Sequence, residues 1–285
     1  MSAARPFDNP AGLATDTAAY YTALGGGRYQ PTIHTQGAWQ PIEQHMAPVS
    51  GLLVHAVELN HPREDLQPAR LAFEILGMIP AETSTVTTEV VRPGRTIELV
   101  EATMTVAGRA VVRALIWRLS RQDTQVVAGG TWEEHDPPMP DPADLPPWQG
   151  SDVWSGGYIA SLDFRADPGN RPGRGRAWAR TPYPLVDGEP VSDLARYVGL
   201  VDTANGVATR VDPTGWMYPN VDLSIHLYRL PRMAGPRDWV GFDTRVVFGE
   251  GGLGLTSTRL YDASGSVGQS AQMLTVRALA TPDHG

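Results

Sequence analysis

Along residues 218–232, "YPNVDLSIHLYRLPR", apolar and polar positions alternate. Val221, Leu223, Ile225 and Leu227 form one row, and Asn220, Asp222, Ser224 and His226 form the other. Successive side chains on a strand point to opposite faces, so this pattern predicts a strand with one face buried and Asn220 on the polar side. Similar apolar runs, broken by Gly-containing turns, fill "VVRPGRTIELVEATMTVAGRAVVRALIWRL" in the first half and "VVFGEGGLGLTSTRLYDASGSVGQSAQMLTVR" in the second. Each reads as an antiparallel meander. A helical period precedes each meander: Leu52, Leu53, Ala56 and Leu59 within residues 47–59, and Leu194, Val198, Val201 and Ala208 within residues 192–211. Ser192 is a suitable N-cap for the second helix.

The same elements therefore occur twice, in the same order. "QPARLAFEILGMIP" lies over "YPNVDLSIHLYRLP", with Pro68 and Pro219, and Pro80 and Pro231, each 151 positions apart. Between the copies, "HDPPMPDPADLPPWQG" holds six prolines and no apolar period, which predicts a stiff connector. The expected organisation is α+β: an N-terminal unit over 1–134, a proline-rich linker over 135–156 and a C-terminal unit over 157–285. Each unit is a helix wrapped by its own antiparallel sheet, and the pair forms a pseudo-dimer with a cleft between the halves.

Composition narrows the chemistry. The chain has no cysteine, and all 23 basic residues are arginine, which removes thiolate nucleophiles, thiolate-bound metal, Schiff bases and the lysine of a phosphate loop. A net charge of −8 without a basic block speaks against nucleic acid. No apolar run reaches the length of a membrane span, and the first 25 residues lack a secretory signal, so the expectation is a cytoplasmic protein. No G-x-S-x-G, H-E-x-x-H or paired-histidine spacing occurs, and neither metal nor cofactor is expected. The glycine clusters at 25–27, near 174 and at 249–254 do not join a strand to a helix and read as turns. "EEH" at 133–135 reads as a solvated strand end.

Four polar residues carry the candidate chemistry. Asp202 stands in the second predicted helix beside an apolar stripe, with Gly199 and Gly206 near it; a carboxylate there must find partners or bear a desolvation penalty. Spacing alone favours an aspartate facing solvent at a helix edge. Asn220 opens the strand quoted above, Gln272 belongs to the last strand, and each could serve a surface or a site. At the spacings 151 and 157 their first-half counterparts are Ala69 and Leu115, and Asp202 faces a glycine or alanine. Polar groups confined to the second half favour one site per chain.

The segments "GAWQPIEQHMAPVSGLL", "NVDLSIHLYRLPR", "DWVGFDTRV", "GLGLTSTRLYDASG" and "GQSAQMLTVR", in this order and with this duplication, resemble the double hotdog acyl-CoA thioesterases, the group of acyl-CoA thioesterase II. The likeness covers roughly residues 30–132 and 157–277. It implies a double hotdog fold and hydrolysis of acyl-CoA or a related acyl thioester by an activated water. In that family an aspartate, a threonine and a glutamine position the water; they map onto Asp202, Asn220 and Gln272, with asparagine in place of threonine. His45, before the first helix, matches a histidine of these relatives as a substrate contact, a helix cap being the other reading. A homo-oligomer stays open. So do a hotdog hydratase or dehydratase and a non-catalytic acyl-binding protein.

Overall fold

The computed structural model describes residues 8–130, 138–233 and 238–279. The first half contains β1 (Tyr21–Gly25), β2 (Arg28–Pro31), α1 (Met46–Asn60), β3 (Leu66–Ile75), β4 (Ser84–Arg92), β5 (Ile97–Val106) and β6 (Arg109–Ser120). The second contains β7 (Pro147–Trp148), α2 (Gly157–Ala160), β8 (Asp163–Ala166), β9 (Arg174–Arg180), α3 (Asp193–Val201) and α4 (Ala204–Val207). It continues through β10 (Trp216–Met217), β11 (Asp222–Leu227), β12 (Val240–Phe248), β13 (Leu253–Asp262), β14 (Gly265–Thr275) and β15 (Arg277–Ala278). Gly25, Gly26 and Gly27 all have positive φ and turn β1 into β2, as the glycine cluster predicts.

Thirteen strands form one sheet in the order β1-β2-β4-β5-β6-β3-β11-β14-β13-β12-β9-β8-β7, and β10 pairs with β15. The equivalent strands β3 and β11 meet antiparallel at the middle, joining the two halves into one continuous surface. Its inner face carries Leu71, Phe73, Val100, Ala102, Ile116, Leu223, Ile225, Phe242 and Leu260, all buried against the helices in one core. This is the double hotdog arrangement. Residues 46–57 of α1 are buried on every side, which explains why the helix is apolar around its circumference.

The two long helices touch where both carry glycine. A Cβ on Gly51 would stand 2.7 Å from the Ala195 carbonyl oxygen and 2.8 Å from Gly199 Cα. Just before it, the Ser50 hydroxyl donates to the Val198 carbonyl at 2.9 Å, tying α1 to α3. The crossing glycines therefore set how closely the halves approach.

The structure shifts the repeat by one residue. Leu71 lies opposite Ile225 and Phe73 opposite Leu223, a symmetry that sets the spacing of equivalent central-strand residues at 152 rather than 151. One step along a strand exchanges its faces, so the difference matters. Further along, Asn220 lies opposite Leu274 while Ser224 lies opposite Ala271: four steps on one strand face three on the other. This is a bulge, and it turns Asn220 out of the polar row onto the inner face. The first half has the same irregularity, with Pro68 opposite Arg118 and Arg70 opposite Trp117. The true counterparts of Asn220 and Gln272 are therefore Pro68 and Ile116, not Ala69 and Leu115, and matching Gly51 to Gly199 gives Val54 for Asp202. The polar set is still confined to the second half.

The second helix also departs from expectation. A continuous helix over 192–211 is predicted, but α3 ends at Val201 and Asp202 is its C-cap. The Thr203 N–H bonds the Leu200 carbonyl, three residues back, and the Gly199 carbonyl faces the Tyr158 hydroxyl instead, at 3.5 Å. A side chain entering the ladder in this way breaks a helix.

The proline-rich segment, from residue 138 onward, is more than a spacer: β7 adds to the edge of the sheet beside β8, where proline is tolerated, and Leu145 packs on Trp178 and Tyr261. The expected boundary between residues 134 and 135, and "EEH", lie outside the described residues. Among the described residues, no helix is long and apolar enough to cross a membrane.

The crossing generates an asymmetric prediction. Gly51→Ala forces backbone apart and should destabilise the protein by about 1–3 kcal/mol. Gly199→Ala places its Cβ 3.7 Å from Gly51 Cα, an ordinary contact, and should be tolerated. Thermal melting of the two variants checks the difference; equal losses would contradict the crossing geometry.

Candidate active site

Asp202 is 6% exposed and sits where the broken helix meets the inner face of the sheet. The bulge before β11 aims the Asn220 amide at it, and Asn220 Nδ2 donates to Asp202 Oδ1 at 2.7 Å. From the neighbouring strand β14, Gln272 Nε2 donates to the same oxygen at 2.8 Å. Asp222 holds the bulge: its carboxylate accepts the Met273 N–H at 2.6 Å, and its carbonyl accepts from Asn220 Nδ2 at 3.0 Å. The strand residue on the polar face thus serves the backbone, and the residue turned inward serves Asp202.

Both amides converge on Oδ1, and no hydrogen bond to Oδ2 exists among the described residues. That second oxygen lies 3.7 Å from His45 Nδ1. The contact is not an ion pair at neutral pH. Burial pushes the His45 imidazole down to about 3, and Nδ1 accepts the Ala47 N–H at 3.1 Å as the N-cap of α1, which places the ring proton on Nε2.

Burial also dominates at Asp202. It pushes the carboxyl from 3.8 up to about 6; the Asn220 and Gln272 amides pull the other way, and the nearby Asp222 charge adds a small upward push. The result is a carboxylate ionised at neutral pH but far more basic than an exposed aspartate. Gln272 Oε1 is buried without a hydrogen-bond partner, so its amide spends its donor on Asp202 and leaves its acceptor unused.

A cavity of about 350 Å³ opens beside these groups, lined by His45, Asp202 and Asn220 among others; Gln272, at 0% exposure, stands behind Asp202 and does not line it. The four sequence candidates are therefore brought together, though in two layers: three at the cavity surface and Gln272 supporting one of them.

Sequence reasoning missed several neighbours. Tyr158 stacks on the His45 ring with centroids 4.1 Å apart, and its hydroxyl bonds the Thr203 hydroxyl at 2.7 Å. It reaches them because Gly157 precedes it: a Cβ there would stand 1.9 Å from the Ile33 carbonyl oxygen, so "GGY" at 156–158 was the legible clue. Asn205 donates to the Tyr218 carbonyl at 3.2 Å and accepts from the Thr256 hydroxyl at 3.2 Å, tying the segment after Asp202 to the sheet. Trp39 and Trp154 line the same cavity. No cluster of three or more metal-ligating side chains occurs among the described residues.

Comparison with known proteins identifies the family and the fold. The family model described as "Acyl-CoA thioesterase C-terminal domain" matches residues 133–276, and that of the "Acyl-CoA thioesterase N-terminal domain" matches residues 35–119. A search of curated protein sequences finds no match. Among solved structures, a hot dog fold protein of unknown function from Alicyclobacillus acidocaldarius has a TM-score of 0.70 at 15% identity, covering 92% of this chain and 98% of its own. An acyl-CoA thioesterase II, TesB2, from Mycobacterium marinum has a TM-score of 0.62 at 18% identity, covering 91% of this chain and 95% of its own. A tesB protein from Mycobacterium avium subs paratuberculosis has a TM-score of 0.60 at 15% identity, covering 90% and 96%. At such identities these structures share the fold.

The hydrogen bonds to Oδ1 have a consequence readable without substrate. Removing a donor to the ionised form, as in Asn220→Ala, should raise the Asp202 pKa above about 6. Carboxyl-carbon NMR titration measures it, and an unchanged or lowered value would show that the amide does not hold the charge.

Proposed function

Because the chain belongs to the acyl-CoA thioesterase family, with its two domain models matching residues 35–119 and 133–276, we propose that it hydrolyses an acyl-CoA thioester by direct attack of water activated by Asp202. The observation that carries this reading is the division of labour on one buried carboxylate. Oδ1 accepts from both Asn220 and Gln272, which fixes the orientation of the carboxylate and leaves Oδ2 without a hydrogen bond among the described residues, on a side chain that lines the cavity.

Water bound at Oδ2 gives up a proton as its oxygen attacks the thioester carbonyl, and a carboxylate raised to about 6 is a stronger base than a solvated one. The carbon–sulfur bond then breaks. A thiol leaving group has a pKa of about 8.5, so it departs with little acid assistance and recovers the proton from Asp202. Free acid and free thiol result, and the carboxylate is regenerated. The start of α1, at His45 and Met46 on the cavity wall, presents the positive end of a helix toward the carbonyl oxygen as negative charge develops there. Asn220 serves here as a positioning residue. A threonine hydroxyl would offer one donor, whereas the amide reaches both Asp202 and the Asp222 carbonyl.

A hydratase or dehydratase reading would use the same two groups, since His45 Nδ1 and Asp202 Oδ2 are 3.7 Å apart. It needs an imidazole that accepts a proton. Here Nδ1 is already the acceptor for the Ala47 N–H and the ring is held far below its ordinary basicity, which supports hydrolysis instead.

Asp202→Asn is the direct test. Asparagine keeps an oxygen for both amides and removes only the base, so release of free thiol from acyl-CoA should fall by about 10²-fold or more while the fold persists. Because the ionised form is the active one, kcat/KM in the wild type should rise tenfold per pH unit below about 6 and level off above it. Undiminished turnover in Asp202→Asn, or a profile flat from pH 5 to 8, would end the assignment; unchanged ligand binding with no turnover in the wild type would point to a carrier.

A further inference from the structure

Aromatic side chains form part of the wall of the cavity beside Asp202. Trp154 donates its indole N–H to the Gly206 carbonyl at 3.1 Å, one turn beyond Asp202. Its ring meets Trp39 edge-on at 5.0 Å and Tyr218 edge-on at 5.9 Å. Tyr218 is fully buried, its hydroxyl donates to the Val211 carbonyl at 3.2 Å, and its own carbonyl is held by Asn205. A Cβ on Gly206 would come within 3.1 Å of Trp154 Nε1, so glycine at this position is what admits the indole. Opening the wall would break a hydrogen bond of a side chain only 6% exposed, which costs about 1–3 kcal/mol. The wall is part of the core and not a loose lid.

Volume then limits what fits. An apolar cavity of about 150 Å³ holds one benzene molecule. At about 350 Å³ this one holds a little more than two such bodies. The reacting thioester and the end of its thiol arm must occupy one of those, since they have to reach Asp202. The remainder is room for one compact apolar group against Trp39, Trp154 and Ile159, with Met46 and Met78 as adaptable neighbours. A chain of sixteen carbons would have to leave the cavity and run into solvent past the exposed Met78.

Resting on the thioesterase reading, we infer that the acyl group is compact, about the size of a phenyl ring, and that Trp39 and Trp154 set this limit. Short aliphatic and aromatic acyl thioesters share that chemistry. Flat rings gain further from edge-to-face contact with the indoles.

Thiol release is to be measured at pH 8 with hexanoyl-, benzoyl-, phenylacetyl- and palmitoyl-CoA. The best compact substrate should exceed palmitoyl-CoA at least tenfold in kcat/KM, and which one leads separates aromatic from aliphatic sources. Trp39→Ala, at a half-buried position less critical to folding than Trp154, should narrow the gap by raising the palmitoyl rate. Palmitoyl-CoA as good as the compact substrates overturns the inference while leaving hydrolysis intact. A binding arm separates the two ideas in the other direction: in Asp202→Asn, tryptophan fluorescence should report S-benzyl-CoA binding at least tenfold more tightly than S-hexadecyl-CoA. Selective binding with no wild-type turnover would sink the hydrolase and keep the size limit; equal or reversed affinities would sink the limit.

Discussion

A carboxylate placed inside the protein and kept ionisable is the constraint around which the second half is arranged. Raising Asp202 from 3.8 to about 6 corresponds to roughly 3 kcal/mol against its charged form. Since the folded value lies above the unfolded one, this group's favourable contribution to stability is present below about pH 4 and lost as pH rises through about 6. The fold therefore carries this cost at neutral pH. Two amide donors limit it without removing it, and their joint choice of Oδ1 gives the carboxylate one orientation. Were they to bond one oxygen each, the charge would be better solvated and the base weaker.

Everything that holds those donors comes from places where regular structure is interrupted. The helix stops at Asp202 because Tyr158 takes the face of the Gly199 carbonyl; a continued helix would rotate the carboxylate with its ladder. The strand bulges before Asp222, where four steps face three on β14, and the Asp222 side chain supplies the acceptor for Met273 that a regular ladder would have supplied from backbone. Both interruptions sit at the seam where α1 begins and α3 ends. The glycine crossing brings those ends within reach, so the approach of two helices fixes distances at a site several residues away.

Much of this architecture is legible in the sequence, because periodicity and burial are the same physical fact seen twice. Leu71, Phe73, Leu223 and Ile225 are apolar because they face the helices, and α1 is apolar all round because it is enclosed. The resemblance names Asp202, Asn220, Gln272 and His45, and these do gather in space. What could not be read is facing. Strict alternation puts Asn220 with Ser224 and His226, and only the register opposite β14 reveals the extra residue that reverses it. The matched prolines give a repeat of 151, and the pairing of β3 with β11 gives 152; only the latter lays Leu71, Phe73 and Ile75 over Leu223, Ile225 and Leu227, a step that matching the prolines alone misses. Tyr158, Asn205 and Trp154 escaped because their roles depend on what the chain folds against.

Duplication also explains why the site can be lopsided. Two identical chains related by a true two-fold axis would build the same seam twice. Here the first half offers Pro68, Ile116 and Val54 where the second offers Asn220, Gln272 and Asp202, so this set of three is confined to one seam. The segment expected to act as a passive connector deepens the difference: Trp154 and Tyr158 both follow the proline run, one lining the cavity beside Gly206 and the other stacking on His45. A covalent connection passes one seam only. The chain that joins the halves can therefore furnish that seam with a wall and a floor that symmetry would have had to supply to both or to neither.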